Sequence, residues 1–236
     1  MARLPPWSAG PAKGERPDQP FTGYKLAHPV VSADGARTGF AGLTLGATHV
    51  YGVIGDACCV WNHRHAPPRR WCGCGFYCLH ALADARSLAC ATENRSALLI
   101  EVTASGRYIR YEQGLRYSRQ RVRAVLEAHC ACGRPGTALA EAGSGLIGWR
   151  RLSPVCGTCT GGRPALSLGD FTARLNGPVR VADSLSDAAA ACWGPPAVPG
   201  ARDPRAAAEE SPIAVLTAEI ALLHARLDDL QSRLDK

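Results

Sequence analysis

Residues 97–111, ALLIEVTASGRYIRY, carry the hydrophobic pattern that decides the expected fold of this chain. The segment 97–103 is mostly apolar and rich in residues that favour strands, so it predicts a β-strand. Small and polar residues over 104–107 predict a turn, and the alternation over 108–111 predicts a partner strand. The sequence therefore predicts a β-hairpin near the middle of the chain.

Short helices are expected around this hairpin. Val122, Val125 and Leu126 are spaced as on one face of a helix, and Ser118 can cap it, so 118–128 is predicted to be helical. The 25 Gly and 17 Pro among 236 residues predict a loop-rich domain. The expected fold class is α+β: a small zinc-stabilised domain with a β-hairpin and short helices, followed by a C-terminal coiled-coil helix.

The composition of the chain excludes several classes of protein. Hydrophobic residues make up 46% and charged residues 20%, which allows a buried core and excludes disorder throughout. No apolar run reaches the ~18 to 20 residues of a membrane span, and residues 1–10 lack the apolar run of a signal peptide. We therefore expect a cytoplasmic protein, in which eleven cysteines indicate metal rather than disulfides.

Changes in composition divide the chain into five segments. Residues 1–22 form a Pro-rich arm that we expect to be disordered, and residues 193–211 form a flexible linker. A Cys/His-rich α+β domain, 23–128, and a zinc-ribbon-like segment, 129–192, lie between them. Residues 212–236 contain neither Gly nor Cys and are predicted to be an oligomerisation helix.

The second group of cysteines gives the clearer metal signal. Cys130 and Cys132 form one close pair, and Cys156 and Cys159 form another. Two close pairs separated by a loop are typical of a zinc ribbon, whose two turns each offer two ligands to one tetrahedral ion. The second pair is a C-x-x-C, whereas the first is only a C-x-C. The fourth ligand therefore stays open between Cys130 and His129, which has the wider spacing to Cys132.

The first group of cysteines and histidines lies in a loop that is too rich in Pro and Gly to make a core of its own. Its candidate metal ligands are Cys59, His63, His65, Cys72, Cys74 and Cys78. A metal would supply the missing folding energy, and the most economical set joins Cys59, Cys72 and Cys74 to one of the histidines. Cys78 is then spare or buried. An iron–sulfur cluster is the alternative, with Cys78 and Cys58 or Cys59 among four thiolates.

Part of the chain resembles a group of known proteins. The residues that carry the resemblance are Gly23-Tyr24-Lys25, His65-Ala66-Pro67, Cys72-Gly73-Cys74-Gly75-Phe76-Tyr77 and Gly114-Leu115-Arg116. They resemble motifs of small uncharacterised Cys-rich proteins of high-GC bacteria, which share a Cys-x-Cys-Gly-hydrophobic-Tyr core. The resemblance covers residues 23–125, departs from the group at the extra pair Cys58 and Cys59, and implies no activity.

Arginines and tyrosines alternate along residues 107–123. The candidate nucleic-acid contacts among them are Arg107, Arg110, Arg116, Arg119 and Arg123. Guanidinium groups on phosphates and tyrosines on bases suit a nucleic acid, and the net charge of +7 permits such attraction. The competing interpretation is a solvated face of the predicted helix and hairpin.

The C-terminal segment has the most regular hydrophobic pattern in the chain. Its apolar residues repeat at spacings of three and four: Ile213, Leu216, Ile220, Leu223, Leu227, Leu230 and Leu234. Such a seam, sustained over three heptads, predicts a coiled coil, and Ile at position a with Leu at position d favours a parallel dimer. The alternative is a helix docked on its own domain.

Together these patterns favour a non-enzymatic interaction or scaffold protein that holds one or two zinc ions per chain. We expect it to form a homo-oligomer, preferably a dimer, and to bind a protein partner. A zinc-containing nucleic-acid-binding protein or transcription regulator is the alternative. A metal-dependent or redox enzyme is the third hypothesis, for which no catalytic residue is identified, because the glutamates near the clusters match no metallohydrolase motif.

Overall fold

The computed structural model describes residues 20–43, 49–61 and 64–182, which all belong to one compact unit. Its strands are β1 (Phe21–Ser32), β2 (Thr38–Ala41), β3 (Val50–Tyr51), β4 (Ile54–Asp56), β5 (Phe76–Leu79), β6 (Leu98–Arg110), β7 (Gly114–Ala128), β8 (Ala138–Leu146), β9 (Trp149–Val155), β10 (Ala165–Ser167) and β11 (Arg180–Val181). Its helices are α1 (Leu82–Ala89), α2 (Gly157–Thr160) and α3 (Leu168–Ala173), with a 3-10 turn at Thr92–Asn94.

The prediction of an α+β fold is wrong, because the described chain is mainly antiparallel sheet.

The predicted helix over 118–128 is instead the second half of the long strand β7. Along this half, the pairing register with β6 shifts twice, between Leu99 and Ile100 and between Glu101 and Val102. Each shift inserts one extra residue into β7, as a β-bulge does. Val122, Val125 and Ala128 therefore all point into the core at intervals of three. Two bulges thus imitate the spacing of a helix, and this is why the hydrophobic pattern was misleading.

The hairpin is present, but its turn lies elsewhere than predicted. Strand β6 continues through residues 104–107 to Arg110, and the chain reverses over 111–113 to enter β7. The small residues at 104–107 correspond to a register shift between Ser105 and Tyr108. Gly106 lies there at φ +76, a left-handed conformation that glycine adopts readily. The turn-like composition therefore marks a bulge inside a strand.

Four strands form a closed ring. β1 pairs with β6, β6 with β7, β7 with β5, and β5 returns to β1 at the single pair Tyr24 and Leu79. Beyond β5, the same edge of β7 pairs with β4 and then, in parallel, with β11. One strand therefore organises this half of the molecule, because β7 is paired along both of its edges.

A second group of strands extends from the far end of β1. Residues 28–32 of β1 leave β6 and pair with β2 on one side and β9 on the other. β9 forms a hairpin with β8, whose free edge pairs with β10, and β2 pairs with β3. Residues 129–182, predicted to be a separate ribbon-like segment, thus contribute a strand, β9, that pairs with the strand opening the domain.

The main core lies between these two groups of strands. Phe40 of β2, Tyr117 of β7 and Phe171 of α3 are completely buried in it. A smaller apolar cluster lies beneath α1, where Leu26, Leu79 and Leu99 pack against its alanines. Burial of these side chains supplies the main driving force for folding.

Several predictions fall on residues that the structure does not describe. Residues 1–19 of the Pro-rich arm, the linker 193–211 and the helix 212–236 with its seven-residue seam lie outside the described residues. Residues 21 and 22, assigned to the arm, are the first two of β1. None of the helices in the described part of the chain has the length and apolar character needed to cross a membrane.

The close approach of β5 and β7 leads to a first prediction. A Cβ atom added to Gly114 would collide with the backbone carbonyl of Cys78 on the neighbouring strand. We expect Gly114→Ala to lower the free energy of unfolding by about 2 to 3 kcal/mol, because backbone atoms must move apart. Urea denaturation followed by circular dichroism measures this change.

The matched control for this prediction is Gly169→Ala in helix α3. The nearest atom to its added Cβ is Ser167 Oγ at 3.7 Å, an ordinary contact distance. Alanine is the better helix former by up to about 1 kcal/mol, so this variant should be as stable as the original or more stable. Equal unfolding midpoints for Gly114→Ala and Gly169→Ala would contradict the described register of β5 against β7.

Candidate metal centres

Site 1 comprises four side chains of the segment that joins β4 to β5. They are Cys59, His65, Cys72 and Cys74. Their four donor atoms all lie within 4.8 Å of one another. The Sγ atoms of Cys59 and Cys72 are 3.7 Å apart, and His65 Nε2 lies 3.2 Å from Cys74 Sγ. The four donors therefore converge on one point and can hold a metal ion.

These distances suit a single four-coordinate ion. Two sulfurs at about 2.3 Å from a tetrahedral zinc stand about 3.8 Å apart, whereas the sulfurs of a disulfide are about 2 Å apart. The four thiolates of an iron–sulfur cluster are divided among two or four iron atoms, so they cannot all lie as close together as four donors that share one ion. Cys78, which the cluster alternative requires, is not part of the convergent set, and neither is Cys58, which that alternative offered in place of Cys59.

The remaining candidates of the first group lie apart from site 1. Cys78 is buried on β5, and burial raises the pKa of its thiol to about 11. Cys58 is exposed, and its Sγ lies 3.3 Å from His49 Nδ1. His63 lies outside the described residues. Of the two histidines that the sequence left open, His65 is the one seen beside the three cysteines.

Site 1 is anchored to the sheet by Arg116, which sequence analysis placed among nucleic-acid contacts. This arginine is only 5% exposed. Its guanidinium donates to the carbonyl oxygen of Cys72 at 2.6 Å and to that of Arg69 at 3.0 Å. Tyr77 adds a hydroxyl bond to the carbonyl of Gly73 at 2.7 Å. Arg116 thus satisfies backbone groups of the loop, a role that no sequence pattern indicates.

Site 2 comprises Cys130, Cys132, Cys156 and Cys159, whose Sγ atoms also lie within 4.8 Å of one another. Cys132 and Cys156 are 3.7 Å apart. Cys130 follows β7 in a turn closed by a bond from the N–H of Gly133 to its carbonyl at 2.8 Å. Cys156 caps α2, and the N–H of Cys159 donates to its sulfur at 3.4 Å. Site 2 can therefore hold a second metal ion.

His129, the alternative fourth ligand, lies outside the convergent set of site 2. It is buried, and its Nε2–H donates to Glu127 Oε2 at 3.1 Å. Arg86 of α1 donates to the other oxygen of the same carboxylate at 2.6 Å. Burial alone would raise the pKa of Glu127, but these two partners outweigh it and keep the pKa below its ordinary value. This ion pair therefore stabilises the fold at neutral pH and is lost as acid protonates Glu127.

The thiols of both sites must release protons before they bind a metal. The N–H of Cys159 lowers the pKa of Cys156 to about 6, whereas hydrogen bonds with Cys132 and Cys156 raise the pKa of Cys159 to about 12. In site 1, burial raises the pKa of Cys74 to about 11. Since thiolates are the ligands, the affinity of both sites for metal must fall as the pH falls.

The candidate nucleic-acid arginines have different surroundings. Arg116 is buried under site 1, Arg119 forms an exposed ion pair with Asp56 at 3.5 Å, and Arg110 lies 5.0 Å above the ring of Phe21. Arg107 and Arg123 are exposed on strands rather than on a helix and a hairpin turn. The proposed set is thus not one surface.

Comparison of the chain with protein-family models, with curated proteins and with solved structures found no match. The resemblance of residues 23–125 to small Cys-rich proteins of high-GC bacteria therefore stays a prediction. The chain is thus a β-sheet domain with two four-donor Cys/His clusters, one near each end of the long strand β7.

The ligand set of site 2 leads to a second prediction. Cys130→Ser should remove one bound metal ion per chain, because Cys130 Sγ is one of four convergent donors. His129→Gln should keep the ion, because that imidazole faces Glu127, although it should lower stability by about 1 to 3 kcal/mol through the weakened buried ion pair. Metal analysis of the purified variants by atomic emission measures both. Loss of the ion from His129→Gln and its retention in Cys130→Ser would reverse the ligand assignment.

Proposed function

We propose that this chain is a non-enzymatic interaction protein whose domain is stabilised by two zinc ions. The observation that supports the proposal most directly is that each cluster directs four protein donors at one point. Thiolate and imidazole donors in tetrahedral sets favour zinc, and four protein ligands leave no open position for water or substrate. Closed sites of this kind stabilise a fold, whereas catalytic zinc sites have three protein ligands and an exchangeable position.

The placement of the two clusters also favours a structural role. Site 1 joins Cys59, just after β4, to Cys72 and Cys74, just before β5. Site 2 joins the turn after β7 to the turn after β9. The segments that carry the ligands are mostly partly exposed and contribute few side chains to the main core. The ions therefore cross-link segments that hydrophobic burial does not hold.

Self-association through residues 212–236 belongs to the same proposal. The support for it is the seam of Ile and Leu at spacings of three and four, which must be covered by another apolar surface. A dimer of zinc-stabilised domains would present two copies of any interaction surface, which raises its effective affinity for a repeated or dimeric partner.

Nucleic-acid binding is the second candidate function, and one specific observation favours it. Arg119, Arg121 and Arg123 alternate with the buried residues Gln120 and Val122 along β7 and are all exposed. Their side chains are therefore directed away from the core at neighbouring positions of one strand. This candidate requires an affinity for oligonucleotides that falls steeply with rising salt.

The zinc proposal predicts different outcomes for two neighbouring buried cysteines. Cys74→Ser should lower the zinc content by one ion per chain and destabilise the domain, because the binding energy of a structural zinc is folding energy. Cys78→Ser, the matched control on β5, should retain both ions. Zinc analysis, together with thermal unfolding in the presence of a chelator, measures both effects. Native protein that carries no zinc, or equal zinc content in the two variants, would contradict the proposal.

The self-association proposal predicts that removal of residues 212–236 converts an oligomer into a monomer while the zinc content is unchanged. Leu223→Glu should have the same effect, because it places a charge at a central d position of the seam. Leu222→Glu, the same substitution one residue earlier, lies at a c position and should leave the oligomer intact. Light scattering at micromolar concentration decides the matter, and a monomeric full-length chain would refute this part of the proposal.

A further inference from the structure

Trp71 projects from the loop of site 1. The N–H of Cys72 donates to the carbonyl of Arg69 at 3.1 Å and closes a tight turn whose two central residues are Arg70 and Trp71. The side chain of Trp71 is 90% exposed. An indole ring in water forgoes the favourable burial of a large apolar surface, so Trp71 adds little to the stability of this fold.

The turn that carries Trp71 is held from two sides. Arg116 donates to both carbonyl oxygens at the base of the turn, those of Arg69 and Cys72. The side chain of Cys72 is also a donor of site 1. The buried guanidinium thus fixes the base of the turn, and an ion at site 1 would hold it from the other side, so Trp71 is displayed on a preorganised support. Preorganisation lowers the entropic cost of binding a ligand.

The surroundings of Trp71 are positively charged. Arg64, Arg69 and Arg70 are exposed on the same loop. The sequence contains no Asp or Glu between Asp56 and Asp84. A ligand that covers the indole ring therefore meets guanidinium groups of a loop that carries no carboxylate of its own, which favours an anionic ligand.

Further guanidinium groups lie along the same strand that supports the turn. Arg121 and Arg123 of β7, with Arg180 of β11, line an open pocket of about 600 Å³ beside α3. Arg180 lies 4.0 Å from Glu101, whereas Arg121 and Arg123 form no ion pair with any residue that the structure describes. Guanidinium groups without a carboxylate partner are suited to phosphate oxygens.

The pairing of β7 connects these two features. The last residue of β4, Asp56, pairs with Arg119 of β7, and the loop of site 1 begins directly after it. The loop returns to β5 at Phe76, opposite Tyr117. The loop that displays Trp71 therefore starts and ends beside the strand residues that precede Arg121 and Arg123.

From this arrangement we propose that the chain binds single-stranded nucleic acid, with an unpaired base stacked on Trp71 and backbone phosphates on Arg121, Arg123 and Arg180. The inference rests on the second candidate function and names its ligand. A stacked indole requires a base that is not already stacked in a duplex. An acidic peptide would match the arginines but offers no comparable planar surface to Trp71.

The test uses the full-length, zinc-loaded chain and a fluorescently labelled single-stranded 12-mer of mixed sequence. Anisotropy titrations over a range of salt concentrations should show binding that is about tenfold or more weaker for Trp71→Ala, with an unchanged salt slope, because stacking is not ionic. Trp71→Phe should recover part of the affinity. Trp61→Ala, on the same loop and 56% exposed, is the matched control and should bind as the original does.

The arginine row has its own variant and control. Arg121→Gln should reduce the slope of log affinity against log salt by about 0.7, the value for one phosphate contact on a single strand. Arg37→Gln removes the same charge from the turn between β1 and β2, where the guanidinium lies 5.7 Å above the ring of Trp149. The slope for Arg37→Gln should not change.

Three results would overturn the inference. They are the absence of any binding at low salt, equal affinity for a duplex of the same length, and a Trp71→Ala variant that binds as tightly as the original. Competition by polyglutamate at the same charge concentration as the oligonucleotide would instead assign the surface to an acidic polypeptide. Zinc content measured on each variant separates these outcomes from a failure of the zinc proposal, since a chain can hold both ions and bind no nucleic acid.

Discussion

The pairing of β7 along both edges is the constraint on which the rest of this structure depends. β6 covers one edge over almost its full length, while β5, β4 and β11 follow one another along the other. The two metal sites are then placed by the ends of this strand. Arg116, near its start, fixes the loop of site 1, and Cys130, just after its end, is one of the four donors of site 2.

The bulges in this pairing determine which side chains are available for function. Two insertions in β7 bring Val122, Val125 and Ala128 into the core, while Arg121 and Arg123 remain on the outer face. A one-residue shift of register moves a strand's side chains to the opposite face of the sheet. The exposed arginines therefore depend on the same irregularities that bury the apolar residues, and neither feature can change independently of the other.

Metal sites and core have complementary roles in this domain. The core lies between the two groups of strands, whereas both clusters occupy segments at their margins, where turns contribute few buried apolar side chains. A structural ion there would replace the burial that these segments lack. The turn beneath Trp71 is fixed by Arg116, which donates to the carbonyl of Cys72, so this apolar residue is displayed rather than buried. Such a support would serve recognition rather than catalysis.

The sequence by itself determined the kinds of donor and their local spacing. It indicated that three cysteines of the first group join one of two histidines, and that two close pairs of cysteines form the second group, because ligand spacing within a turn is a local property. It also indicated strand character at 97–103.

Tertiary structure decided the rest. Residues 118–128 are a strand because they pair with β6. The bulges in that pairing space the apolar residues as in a helix, so the sequence pattern predicted the wrong element. Glu127, which is itself held by the distant Arg86, engages His129, and this leaves Cys130 in site 2. Arg116 lies beneath a loop because it donates to carbonyl groups more than forty residues away. Local patterns cannot contain these partners, because hydrogen-bonding and packing partners far apart in the chain meet only when the strands pair.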